Sequence, residues 1–355
     1  MLAAMPSVFA NGRSIIHSGD GLKHVAAPPD VCKTPTPGGP VPLPYVNVAF
    51  DSDLAAGTKQ VKIEGSPVAH SRSHLSTSTG DEPGTAGGGI ISSKTKGKMK
   101  WGTSSADVRV EGKGVARFMD ITQHNGNSYN DAFQAFGGSG FAYADDFRGR
   151  CEICGKGPHR HRVLATPSSM TLCKDIITAL HKDPGAQKKR FMVGVMICGR
   201  CGMSFGSMSG KTSTLFTSVA SSIVDQVVGG GAATAQDFIN SNKTKFADDV
   251  KRARGVNTAW QAMETAARNS GPNSGYNHPG ACAGAKLIAR AGHVPKEMTE
   301  MMFSPSGWEQ RYRVMWTTWR STTAKVLFTT GETVPSCHTC QRLLYLANCP
   351  ERTCP

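Results

Sequence analysis

Apolar residues recur at three- and four-residue spacing over Ala235–Arg254 and Asn257–Arg268, the period of an amphipathic helix. Shorter helical patterns cover Ser169–His181, Ala281–Ala291 and His338–Ala347. Lys188–Ile197 and Lys325–Thr329 are short apolar runs of strand length. Before about residue 145 the pattern changes. Gly, Pro, Ser and Thr interrupt every apolar run, and only brief β-type stretches such as Gln60–Glu64 and Asp107–Glu111 remain. Turn signals at Pro37-Gly38-Gly39, Gly80-Asp81 and Gly87-Gly88-Gly89 separate them. No internal repeat of useful period stands out. The pattern predicts a β-rich domain over 1–145, a middle domain over 146–212, a Ser/Gly/Ala-rich linker over 213–233 and an α+β domain over 234–355.

Composition sharpens this. A chain of 355 residues has room for two or three domains at roughly 100–200 residues each. The net charge of +14 suits an acidic partner, nucleic acid first among them. No run reaches the roughly 18–20 apolar residues of a membrane span. Ser, Asp and Gln break even the most apolar stretch, Leu215–Val228, so no stable membrane anchor is expected. Met1–Ala10 is apolar but carries no basic segment, so export without a leader peptide is expected.

The 11 cysteines, an odd number, fall mostly in Cys-x-x-Cys pairs, which clamp metals better than they form disulfide frameworks. Zinc in a reducing compartment is the expectation. Cys151/Cys154 and Cys198/Cys201 each have Gly directly after the second cysteine. Four thiolates would make a closed, structural zinc ribbon with an all-cysteine ligand set. Between them His159 and His161 read as a basic docking surface, or as metal ligands or a base in a nuclease. Gly206–Thr212 falls one residue short of phosphate-loop spacing and reads as a flexible exit from the ribbon.

In the first region, Pro29–Pro37, Gly39–Asn47, Ser78–Thr85, Gly87–Ser92 and Val110–Arg117, with Asp120 and His124-Asn125-Gly126-Asn127, occur together. This set, over about residues 8–130, resembles the PAAR-like domain of type VI secretion effectors. The resemblance implies a rigid cone that caps a trimeric spike protein, with cargo behind it and a zinc ion near the tip. Carried over by motif, Cys32 and His124 would be ligands and His17 a third; His70 and His74 are weaker candidates.

In the last region, Cys282, four residues after His278, stands where a helix starts, and Pro335-Ser336-Cys337-His338-Thr339-Cys340 opens another. The arrangement resembles the zinc deaminase fold of many bacterial toxins. That resemblance implies zinc on Cys282, Cys337 and Cys340, and a water that attacks C4 of cytosine or C6 of adenine. The fold needs a proton-carrying Glu two residues after the first ligand; here that residue is Gly284. Glu300 is the candidate substitute, with Glu297 beside it. The alternative is a closed structural site with His278 or His338 as fourth ligand. Trp308, Trp316 and Trp319 at near-helical spacing read as packing, and Arg311, Arg313 and Arg320 as phosphate contacts. Cys349 and Cys354 read as spare thiols.

Together these readings describe a multidomain secreted effector: a β-rich PAAR-like cone, a small zinc ribbon and an α+β toxin domain. It would be made in the bacterial cytoplasm, delivered by type VI secretion and active in the target-cell cytoplasm. Its partners would be the spike, a cognate immunity protein, a chaperone and nucleic acid as substrate. A metal-dependent nuclease toxin and a non-enzymatic spike-tip adaptor remain the alternatives.

Overall fold

The computed structural model describes residues 8–26, 29–128, 131–132, 134–136, 141–147, 149–186, 190–241, 249–270, 275–305, 310–315, 323–328 and 330–349. The chain divides into two compact units, Met1–Gly140 and Phe141–Pro355.

The first unit is built of short strands, with no α-helix among its described residues. It contains a repeat that the sequence pattern did not reveal. Segments 9–20, 62–73 and 109–120 share one form. Each is a two-residue hairpin, with Phe9 opposite Ser14, Lys62 opposite Pro67 and Arg109 opposite Gly114. The turn residues Asn11-Gly12, Glu64-Gly65 and Glu111-Gly112 all have positive φ. That is the type I′ geometry that matches strand twist, and Gly supplies its second position without strain. Each hairpin leads into a buried apolar pair and then a side chain that caps a backbone amide. Asp20 accepts from the His17 amide, Ser73 from the His70 amide and Asp120 from the Arg117 amide. The three segments close a ring: Ile16 N donates to Ala116 O, Ala116 N to Ala69 O, and Ala69 N to Ile16 O, at 2.9–3.0 Å. Unequal spacing and few identical residues hid this three-fold pattern.

The second unit is an α/β assembly on a six-stranded mixed sheet. Its strands run in the order Ala142–Tyr143, Val163–Leu164, Pro295–Phe303, Phe191–Cys198, Ser204–Met208, Gln226–Val227. The helices are α1 (Pro167–His181), α2 (Thr214–Ala220), α3 (Ala235–Ser241), α4 (Asp249–Asn269), α5 (Ala283–Arg290) and α6 (His338–Ala347). Thr166 caps α1 in a capping box with Ser169, and Pro167 starts the helix. Helices α1 and α2 pack on one face through Cys173, Ile176, Leu180 and Phe216 against Val193, Val195, Met301 and Phe303. Helix α5 lies on the other face. A side chain at Gly194 would meet Ala283 at 2.8 Å and Leu287 at 3.0 Å, so glycine there lets the helix approach.

The expected domain boundaries are corrected here. Residues 146–212 are not a separate ribbon, and 213–233 is not a bare linker. Phe191–Cys198 and Ser204–Met208 pair as a hairpin in the middle of the sheet, and Gly206–Met208, read as a flexible exit, is buried strand. The 234–355 region likewise depends on them, because Pro295–Phe303 pairs along Phe191–Cys198. Thr214–Ala220 is helix α2. Gln310–Met315, between the tryptophans read at near-helical spacing, is a strand paired with Thr323–Phe328, and it carries Arg311 and Arg313. Trp308, Trp316, Trp319, Arg320 and Cys354 lie outside the described residues.

Candidate metal centres

Helices α5 and α6 begin at one place. Cys282 is the N-cap of α5 and Cys337 the N-cap of α6, both in extended conformation. The Cys337 sulfur accepts from the Cys340 amide at 3.5 Å, and the Cys282 and Cys337 sulfurs are 3.4 Å apart. The Cys282, Cys337 and Cys340 sulfurs all lie within 4.8 Å of one another. Two thiolates on a tetrahedral zinc ion, each at about 2.3 Å, are about 3.8 Å apart, so the three sulfurs fit that ion. Sulfur–hydrogen donation from Cys282 and Cys340, aided by the Cys340 amide, holds the Cys337 thiol well below its usual range. Two helix N-termini favour negative charge at the same point. His278 and His338, the alternative fourth ligands, do not join this group: His278 Nδ1 meets the Pro279 carbonyl, and the His338 ring packs edge-on to Tyr276. Among the described residues the set is three thiols.

Glu300 lies on the neighbouring strand, close enough to Cys337 for that thiolate's charge to act on its carboxyl. Strand alternation puts Met298, Glu300 and Met302 on the α5 face of the sheet, with Glu300 opposite Gly194. The Glu300 carboxylate accepts the Gly284 amide at 2.8 Å. The space that a side chain at Gly284 would fill is occupied: a Cβ there would stand 3.0 Å from Glu300 Oε2 and 2.9 Å from Met298 Cε. Burial raises the Glu300 carboxyl to about 7, opposed by the Gly284 amide. Glu297 faces the other way and accepts from Thr166 at the start of α1. Lys286, also on α5, is buried and donates to Gly210 O and Thr212 Oγ1.

The two Cys-x-x-Cys pairs expected to share one ribbon join different groups. Cys198 and Cys201 meet His293, whose Nδ1 is 3.3 Å from Cys201 Sγ. Cys151 and Cys154 meet His161 and Cys349. The knuckles themselves are alike: the Ile153 amide donates to Cys151 Sγ and the Arg200 amide to Cys198 Sγ, each at 3.4 Å. Gly155 and Gly202 follow with positive φ. The cysteine spacing encodes the knuckle but not all its partners: His161 follows Cys154 by seven residues, whereas His293 and Cys349, the latter just past helix α6, come from far along the chain. His161 is buried and turned to Cys154, whereas His159 lines a cavity of about 260 Å³ with Arg160, Arg162 and Asn348. The pair considered for nuclease chemistry is therefore split.

In the first unit the expected tip ligands are not brought together. Cys32 sits with Asp30 and Asp81, 3.7 Å and 3.9 Å from their oxygens. Burial, then the two carboxylates, push its thiol up to about 12. His124 meets Ser78 Oγ at 2.9 Å and Thr122 Oγ1 at 3.3 Å. His17 Nδ1 accepts from the Gly19 amide. His70 Nδ1 takes the Arg72 amide, and His74 lies on a short strand opposite Lys100. His17 and His70 occupy equivalent places in the three-fold repeat, with Arg117 in the third.

Residues 23–130 match the toxin PAAR-like domain family. The N-terminal part of the chain is also 40% identical over 128 residues to the DNase toxin Tse7 of Pseudomonas aeruginosa. That match covers 34% of this chain and 33% of the relative, so the chain spans about a third of the curated relative it matches. No solved structure matches the chain. The PAAR-like domain thus lies within the first unit, and the thiol clusters of the second unit lie outside it. No described helix is long and apolar enough to cross a membrane.

Proposed function

We propose that the chain is a type VI secretion effector whose PAAR-like domain caps a trimeric spike and whose second unit is a zinc-dependent deaminase toxin acting on nucleic acid. The observation that carries the chemistry is Glu300 against the Gly284 amide, beside three thiols at two helix N-termini. The carboxylate that the deaminase pattern wants two residues after its first ligand arrives from the adjacent strand. Cys282, Cys337 and Cys340 would hold zinc, which supplies Lewis acidity at one open coordination position.

The chain's own residues then have distinct tasks. Glu300 takes a proton from the attacking water and returns protons to the departing amino group. A C–O bond forms, the C–N bond breaks and ammonia leaves. A carboxyl titrating near neutrality does both halves of that transfer at cellular pH. The Gly284 amide fixes its position. The net charge of +14 favours a polyanionic substrate. The three-fold repeat of the first unit suits a three-fold partner. A nucleic-acid toxin requires a cognate immunity protein in the producer, and its target lies in the recipient cytoplasm.

The second reading is a nuclease toxin. It is favoured by the likeness to a DNase toxin, although that match lies in the N-terminal part. One experiment separates the two. The full chain, Glu300→Gln and Cys337→Ala would each be induced in the bacterial cytoplasm, and DNA and RNA sequenced. Base transitions from the wild type alone support the deaminase. Fragmentation without transitions, unchanged in Glu300→Gln, supports the nuclease, and harmless expression with clean nucleic acid supports an adaptor.

A further inference from the structure

We propose that Cys151, Cys154, His161 and Cys349 form a second, closed zinc site that clasps the beginning of the second unit to the end of helix α6. The four ligand atoms lie within 4.8 Å of one another. Cys151 Sγ is 4.0 Å from Cys349 Sγ, and Cys154 Sγ is 3.2 Å from His161 Nε2. Tetrahedral zinc needs about 3.8 Å between two sulfurs and about 3.6 Å between sulfur and nitrogen. Four protein ligands leave no open position, the mark of a structural site.

The surroundings fix each ligand. His161 Nδ1 donates to the Tyr345 carbonyl at 3.0 Å, which leaves Nε2 bare and aimed at Cys154. Asn348 Nδ2 donates back to His161 O at 2.6 Å, so the last turn of α6 and the His161 segment grip each other twice. Phe147 stacks on Tyr345 at 4.2 Å and meets the His161 ring edge-on at 5.0 Å. The Cys151 knuckle is tied by Cys151 N to Lys156 O and Gly155 N to Cys151 O, both 2.8 Å. Cys151, His161 and Cys349 are buried.

The clasp joins residues 198 apart in sequence. A link that closes so long a loop removes much freedom from the unfolded chain. Helix α6 carries Cys337 and Cys340 at its other end, so the clasp also positions two of the three thiols of that site. That last consequence rests on the function proposed above; the clasp itself does not.

The test uses the full chain purified under reducing conditions. Zinc content would be measured for the wild type, Cys349→Ser, His161→Cys and Cys337→Ser. Cys349→Ser should lose one zinc equivalent, His161→Cys should keep it, and Cys337→Ser should lose a different one, additively in the double variant. Should Cys349→Ser fail to fold, alkylation of the wild type is mapped by peptide mass: a chelator should expose Cys151, Cys154 and Cys349 together. Unchanged zinc in Cys349→Ser, alkylation indifferent to chelator, or a Cys151–Cys349 disulfide in the purified chain would overturn the clasp. Zinc lost from Cys337→Ser but not from Cys349→Ser would overturn the clasp and leave the deaminase reading standing; zinc lost from Cys349→Ser but not from Cys337→Ser would do the reverse.

Discussion

Glu300 Oε1 accepts the amide hydrogen of Gly284 across 2.8 Å, from a strand to the first turn of a helix. A carboxylate and a missing side chain thus occupy one volume. Glu300→Gln keeps the shape and that hydrogen bond but removes the proton carrier. On the deaminase function proposed above, its rate of base conversion is expected to fall about 100- to 10,000-fold, with the zinc content of the wild type retained. Parallel assays of base conversion and bound metal check this.

Gly284→Ala tests the same volume from the helix side. The new methyl meets Met298 Cε at 2.9 Å and Glu300 Oε2 at 3.0 Å, both buried. Overpacking of this kind costs about 1–3 kcal/mol. Chemical denaturation should show that loss, and activity should drop further because Glu300 is pushed off the Gly284 amide. Wild-type stability with full activity would remove the argument for a fitted carboxylate.

Lys286 gives a pH prediction. Burial, then the charge of Arg290, lowers its ammonium from 10.5 to about 8. Between those values the unfolded chain holds the proton and the folded chain has released it. Stability attributable to Lys286 therefore rises with pH from 8 to 10.5 and is lost as pH falls through that window. The slope is at most about 1.4 kcal/mol per pH unit. Subtracting the profile of Lys286→Met from that of the wild type isolates it; a flat difference contradicts the burial.

In the first unit, Asp120 ties down two buried arginines, at 3.1 Å from Arg13 and 3.0 Å from Arg117. Burial pushes its carboxyl up, and the two guanidiniums more than offset that, leaving it below the usual range. Its contribution is present above the unfolded value and lost on acidification through the lower folded one. Asp120→Asn takes the carboxylate charge from both buried guanidiniums, at a cost of about 3–5 kcal/mol. Urea denaturation at neutral pH should show the loss, and the variant should lack part of the wild type's acid sensitivity.

Much of the helical framework was legible. Helix α6 begins and ends where the apolar spacing places it, and α1 differs only by its Pro-led first turn. The strand that matters most was not. Pro295–Phe303 is rich in Met, Glu and Lys, residues with weak strand preference, and only burial on both faces makes it a central strand. Glu300 was therefore nameable as a candidate but could not be placed. The cysteine pairs announced metal chemistry through the knuckle spacing. Of their companions, His161 was already a metal-ligand candidate close by in sequence, whereas His293 and Cys349 lie far along the chain from the pairs they join and carry no local signal. Cys349 read as a spare thiol for that reason. In the PAAR-like region the family was evident from motifs, whereas Cys32, His124 and His17 found other partners instead of one another.

The hydrogen-bond ring of the first unit has a temporal consequence. Ile16 donates to Ala116, Ala116 to Ala69 and Ala69 to Ile16, so every repeat is both giver and receiver. Two repeats leave the circle open, with a buried donor and a buried acceptor unmatched. During synthesis the first two hairpins must wait, incomplete, until residues around 116 have emerged. The ring therefore closes in one late event, and a pause in synthesis before that point leaves Ile16 N and Ala69 O without their ring partners.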